Sequence, residues 1–135
     1  MEKISVFTDG GARGNPGPAA AAFVVLEGGK IIYKFSKRIG KTTNNVAEYQ
    51  AVIEALKWVK GWLAGSESGC INFYLDSQLV VNQLNGFFKV KDTKLRSLII
   101  QTKILEQKIP GKIFYHFVPR SKNKIADSLI NQTLR

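Results

Sequence analysis

The 135-residue chain contains one cysteine, Cys70, and one histidine, His116. A single cysteine excludes an internal disulfide and any cage of thiolate ligands. A single histidine excludes a multi-histidine metal site, and a Ser-His-Asp triad would have to use that one residue. No run of apolar residues approaches the ~20 needed to cross a bilayer, and residues 1–9 read as the start of a strand rather than a signal peptide. The expectation is a cytoplasmic protein with no membrane contact. Acids are also scarce: 10 Asp and Glu stand against 20 Lys and Arg, a formal charge of +10. That excess points toward a polyanion partner, of which nucleic acid is the commonest.

What is present suffices for a packed core. Apolar residues make up 44% of the chain, unlike the polar, highly charged composition of disordered segments. The length suits one domain over residues 1–135, and no repeat, low-complexity stretch or linker divides it. KISVFTD (3–9) predicts a strand ending on Asp9, followed by a Gly/Pro-rich loop, GGARGNPGP. AAAAFVVLE (19–27) and KIIYKFSK (30–37) predict a hairpin around Gly28-Gly29. Val52, Ala55, Leu56, Val59 and Leu63 recur at helical spacing over 45–64, with Thr43, Asn44 and Asn45 supplying N-cap chemistry. A strand at 70–75, helices at 77–85 and 92–108, a strand at 112–118 and a helix at 121–134 follow. The order β-β-β-α-β-α-α-β-α predicts an α/β fold with one five-stranded mixed sheet, helices on both faces, and strands one and four parallel neighbours.

On that sheet the few acids fall into a pattern. Asp9 and Asp76 each end an apolar strand, where the crevice of an open α/β sheet lies. On neighbouring strands the two carboxylates stand ~5 Å apart, which raises both pKa values and is relieved by a cation between them. Glu48 extends the buried stripe of the 45–64 helix, and Asp127 lies near the start of the last helix. A helix dipole accounts for either of these alone, but not for four acids at one end of one sheet. Carboxylates without histidine or thiol suit Mg²⁺ or Mn²⁺. Two such ions activate a water and stabilise the leaving oxygen of a phosphodiester.

Other motifs carry less. GGARGNPG does not match the dinucleotide fingerprint, and no P-loop is present. Cys70 reads as a small core residue, His116 as a packed or edge residue, and Trp58 and Trp62 as packing.

FTDGGARGNPGPAA, TTNNVAEYQAVIEAL, YLDSQLVVNQLNG and NKIADSL, running from residue 7 to 129, together resemble ribonuclease H of type 1. The resemblance implies the ribonuclease H-like sheet and hydrolysis of the RNA strand of RNA–DNA hybrids to 5′-phosphate and 3′-hydroxyl ends. It implies two Mg²⁺ ions bound with substrate, Mn²⁺ as a substitute, and Asp9, Glu48, Asp76 and Asp127 as catalytic metal ligands, Asp9 bridging. Gly11, Asn44, Asn45 and Gln78 match positions that touch the hybrid's minor groove. Asn15 and Thr43 match a phosphate pocket for the DNA strand. Double-stranded RNA is a second candidate substrate, and the expected assembly is a monomer.

Two stretches depart from the commonest pattern. VPRSKNKIAD places Arg120 or Lys122 where many members carry a mobile-loop histidine, matching a subgroup with the form Arg-x-x-Asn-x-x-Ala-Asp. Arg120 is accordingly a substrate-contact candidate. GFFKVKDTKLR stands where others have a long basic protrusion, leaving Lys89, Lys91, Lys94 and Arg96 as a reduced substitute or a plain solvated face. Two rival readings are a strand transferase or resolvase of the same fold, which usually needs more chain, and a silent hybrid-binding module. A module that only holds phosphates gains nothing from four acids.

Overall fold

The computed structural model describes residues 2–66, 68–86 and 89–135. Phe87 and Phe88, part of the GFFKVK stretch, lie outside the described residues. Three antiparallel strands, β1 (Glu2–Ala12), β2 (Gly17–Glu27) and β3 (Lys30–Thr42), precede helix α1 (Asn44–Trp62). Strand β4 (Gly69–Leu75), helices α2 (Gln78–Leu84) and α3 (Thr93–Gln107), strand β5 (Lys112–Phe117) and helix α4 (Lys124–Thr133) complete the chain. The sheet order is β3-β2-β1-β4-β5, with β1 parallel to β4 and β4 parallel to β5. This is the mixed α/β sheet that the order of elements predicts.

The layers follow from side-chain alternation. On β2, Phe23 and Val25 enter the main core with Val52, Leu56 and Val59 of α1, while Ala20 and Ala22 pack against Ile130 of α4. Small residues facing α4 let that helix lie close to the sheet. α3 adds Leu98 and Thr102 behind α1, and Thr102 returns its hydroxyl to the Leu98 carbonyl at 2.9 Å. Thr43 caps α1, its hydroxyl oxygen accepting from Val46 N at 3.3 Å.

Several boundaries differ from the sequence expectation. β1 does not stop at Asp9: its antiparallel pairing with β2 continues from Asp9↔Ala22 to Ala12↔Ala19. The Gly/Pro-rich segment is therefore mostly strand, because Gly10 and Gly11 still have a partner backbone. β3 runs to Thr42 instead of residue 37 because β2 pairs with it as far as Gly17↔Thr42, across an irregularity at Ala19/Ala20. The closing helix is split. Residues Arg120–Lys122 form one 3-10 turn, Asn123 breaks it, and α4 starts at Lys124. Cys70 is half-buried, and His116 is exposed on β5 with its Nε2 2.9 Å from Asn72 Oδ1. Trp58 and Trp62 stack on each other at 5.8 Å and pack against the main core.

Candidate active site

Parallel pairing between β1 and β4 ends at Phe7↔Tyr74, while β1 continues beside β2. The two strands therefore part just before Asp9 and Asp76, and those side chains fill the opening. Gly10 brings in the third acid. A Cβ on Gly10 would sit 2.1 Å from the Ala47 carbonyl carbon, so only glycine lets the first turns of α1 lie on β1. Glu48, the next residue, is thereby pressed inward. One oxygen each from Asp9, Glu48 and Asp76 lie within 4.8 Å of one another.

These acids are buried, Asp9 at 2% exposure and Glu48 at 6%. Burial first, and then the negative charge of Asp76, pushes the Asp9 carboxyl up to about 7. Glu48 is raised well above the ordinary range by burial and then by Asp9 and Asp76. Asp127 stands one step out, half-buried and outside that trio. Its Oδ1 meets Arg120 Nη1 at 3.3 Å, and Arg120 Nη2 approaches Asp76 Oδ1 at 3.9 Å. The Arg120 side chain is 69% exposed, so solvent screens both pairings and they offset little of the acids' cost.

One participant carries no role that the sequence by itself assigns. Asn123, 1% exposed, donates from Nδ2 to the Thr8 carbonyl at 2.8 Å and to Asp76 Oδ2 at 3.1 Å. It ties the turn before α4 to β1 and orients the Asp76 carboxylate. Its sequence signal is its place in NKIAD, three residues ahead of Ala126 and four ahead of Asp127.

The substrate-contact candidates divide between two depressions. The first, about 380 Å³, is lined by the four acids with Gly11, Asn44, Asn45 and Arg120. The second, about 510 Å³, is lined by Asn15, Thr43, Asn44, Asn45 and Lys94, with Asp92, the N-cap of α3, at its edge. Asn44 joins them: its Oδ1 accepts from Ala12 N and its backbone N–H donates to Asn15 Oδ1, both at 2.9 Å. Gln78, at the start of α2, lines neither and donates to Asn82 at 3.2 Å. Lys94 thus joins the second depression, whereas Arg96 lies on another surface with Ile99 and Lys103.

The residues present fit a hard divalent metal. The donors are carboxylates without histidine or thiol, Glu48 Oε2 is buried with no hydrogen-bond partner, and a cation there reverses the mutual repulsion of Asp9, Glu48 and Asp76.

Fold and site together define a sheet-based α/β protein with a carboxylate cluster that could hold a metal. A family model described as RNase H matches residues 1–135, and the chain belongs to the RNase H family. It is 38% identical to a bifunctional protein of Mycobacterium tuberculosis over 98% of this chain and 35% of that protein. It is likewise 38% identical to the ribonuclease HI of Halobacterium salinarum over 98% of this chain and 64% of that protein. The chain therefore spans about a third and just under two thirds of these relatives' lengths. A solved RNase H1 known as LC11, in complex with an RNA/DNA hybrid, superposes with TM-score 0.92 at 36% identity, covering 96% of this chain and 94% of that one.

Proposed function

We propose that this protein is an endonuclease that hydrolyses the RNA strand of RNA–DNA hybrids, leaving 5′-phosphate and 3′-hydroxyl ends. The observation that carries the reading is the meeting of Asp9, Glu48 and Asp76 oxygens within 4.8 Å, in a chain of the RNase H family. Asp9, Glu48, Asp76 and Asp127 would hold two Mg²⁺ ions, or Mn²⁺ in their place, which supply an activated water and charge stabilisation at the leaving oxygen. Asn123 keeps the Asp76 carboxylate aimed at that centre. Gly11, Asn44 and Asn45 offer short amide and backbone groups beside the acids, suited to 2′-hydroxyls in a wide, shallow minor groove. Gln78 extends that contact from α2. Asn15, Thr43 and Lys94 seat a phosphate of the DNA strand, and Arg120 meets the scissile region. Residues 1–135 act as one domain and as a monomer, in the cytoplasm; among the described residues no helix is long and apolar enough to cross a membrane.

The deciding experiment is a cleavage assay with Mg²⁺ or Mn²⁺ on end-labelled RNA–DNA, RNA–RNA and DNA–DNA duplexes. Cleavage of the hybrid's RNA strand, dependent on metal, is expected; cutting of the RNA duplex identifies it as a second substrate. An intact hybrid in the presence of either metal, or cutting of DNA–DNA alone, overturns the reading.

A further inference from the structure

Helix α4 packs against β1, β2 and β3, so among the described residues it leaves the same face of β4 and β5 largely uncovered. There Phe7, Tyr74 and His116 form a row of stacked rings. Phe7 and Tyr74 lie 4.8 Å apart at 21°, and Tyr74 and His116 lie 5.1 Å apart at 26°. The register makes these residues direct cross-strand neighbours. On the other side of Phe7, β2 presents Val24 instead of a ring. At that point a cavity of about 270 Å³ opens, lined by Phe7, Val24, Leu26, Lys122, Lys124 and Ile125. Among the described residues no acid lines it and it shares no lining residue with the depression that holds the carboxylates; the two adjoin through Asn123, which lines this cavity and holds Asp76.

A row of rings that ends at a hole has room for one more ring. The geometry points to a binding site for a single nucleotide unit, its base continuing the stack on Phe7 and its phosphate paired with Lys122 and Lys124. The walls supply the contacts that a planar base needs, Phe7 on one face with Val24 and Leu26 around it. The two exposed lysines beside them supply the charge that a fatty chain or a neutral ring leaves unpaired. The cavity falls a little below the ~300–1,000 Å³ of sites for drug-sized ligands, which suits one nucleotide and not a longer segment. The ligand has two sources, a free nucleotide or the phosphorylated end of a single strand.

The test follows Val24 and Leu26 methyl resonances of the whole chain in buffer containing a chelator, so that no metal recruits phosphate to the acids. Adenosine monophosphate, a 5′-phosphorylated oligodeoxynucleotide, adenosine, inorganic phosphate and decanoate are titrated in turn. Ring-current shifts with the monophosphate, the oligonucleotide or both are expected, with phosphate alone giving none. A response to the monophosphate only identifies a free-nucleotide site, and a response to the oligonucleotide only identifies a strand-end site. Phe7→Leu is expected to weaken binding about tenfold. Lys122→Ser with Lys124→Ser, both on exposed side chains, removes the preference for the monophosphate over adenosine even if Phe7→Leu does not fold. Asp9→Asn should bind as the unaltered protein does, separating this site from the acidic one. Absence of methyl shifts with both phosphorylated ligands at millimolar concentration, or equal binding of decanoate, overturns the proposal.

Discussion

Asp9 and Glu48 are buried acids held above their ordinary values by burial and by neighbouring carboxylates. An acid whose folded value lies above its unfolded one favours the folded state when protonated, and that stability is lost as pH rises through the folded value. For Asp9 the window runs from its ordinary ~3.9 up to about 7, and Glu48 adds in the same direction. Metal-free protein is therefore expected to melt at higher temperature at pH 5.5 than at pH 8. Mg²⁺ should raise the melting temperature at pH 8, and the pH difference should shrink in Asp9→Asn. That variant is also expected to lose cleavage while still binding hybrid; full activity in it would remove the metal mechanism. Asn123→Ala tests the orienting role of the amide. Loss of a supporting hydrogen bond to a metal-binding carboxylate costs about 10- to 100-fold in metal affinity or rate, read by Mn²⁺ titration alongside kcat and KM. A variant with unchanged metal affinity and unchanged kcat would make Asn123 merely structural. The acids were legible in sequence because the close of an apolar run and a buried helical stripe both show in residue order, although β1 itself runs on past Asp9. Asn123 was not, since its partners, Thr8 and Asp76, are remote in the chain.

At the scale of elements, the site depends on how closely α1 meets β1. Gly10→Ala would drive a methyl into the Ala47 carbonyl, and overpacking of that kind costs about 3 kcal/mol. Urea unfolding should show this loss, and the displaced helix should carry Glu48 away from Asp9 and weaken metal binding. A fully stable, fully active Gly10→Ala protein would mean that α1 is free to shift. Element order, the Gly28-Gly29 hairpin and the parallel β1–β4 pair were readable because hydrophobic period and turn chemistry are local. The ends of β1 and β3 were not. Gly10 and Gly11 look like loop, and become strand because β2 supplies hydrogen-bond partners as far as Ala12. The break at Asn123 escaped for a similar reason: residues 121–134 keep a helical pattern, whereas the Asn123 side chain is drawn to Thr8 and Asp76.

Over the whole molecule, the charge of +10 includes the acids of the site. Set Asp9, Glu48, Asp76 and Asp127 apart, and 20 bases face only six other acids, +14. Affinity for hybrid is expected to fall linearly in log–log form with salt as counterions are released. Lys94→Ala, in the depression with Asn15 and Thr43, should reduce that slope by about one, measured by anisotropy across a salt series; an unchanged slope would remove Lys94 from the phosphate seat. Sequence alone determined the charge balance, the order of elements, and that Asp9 and Asp76 close apolar runs while Glu48 lies on a helix's buried stripe, because each depends on residues adjacent or periodic in the chain. Only the tertiary structure decided that three of those acids share one 4.8 Å cluster while Asp127 stands outside it. It alone showed that Asn123 holds Asp76 and that a row of rings ends at an open cavity. Those outcomes depend on where β1 and β4 part and on how near α1 and α4 approach the sheet, distances set by packing between segments far apart in sequence.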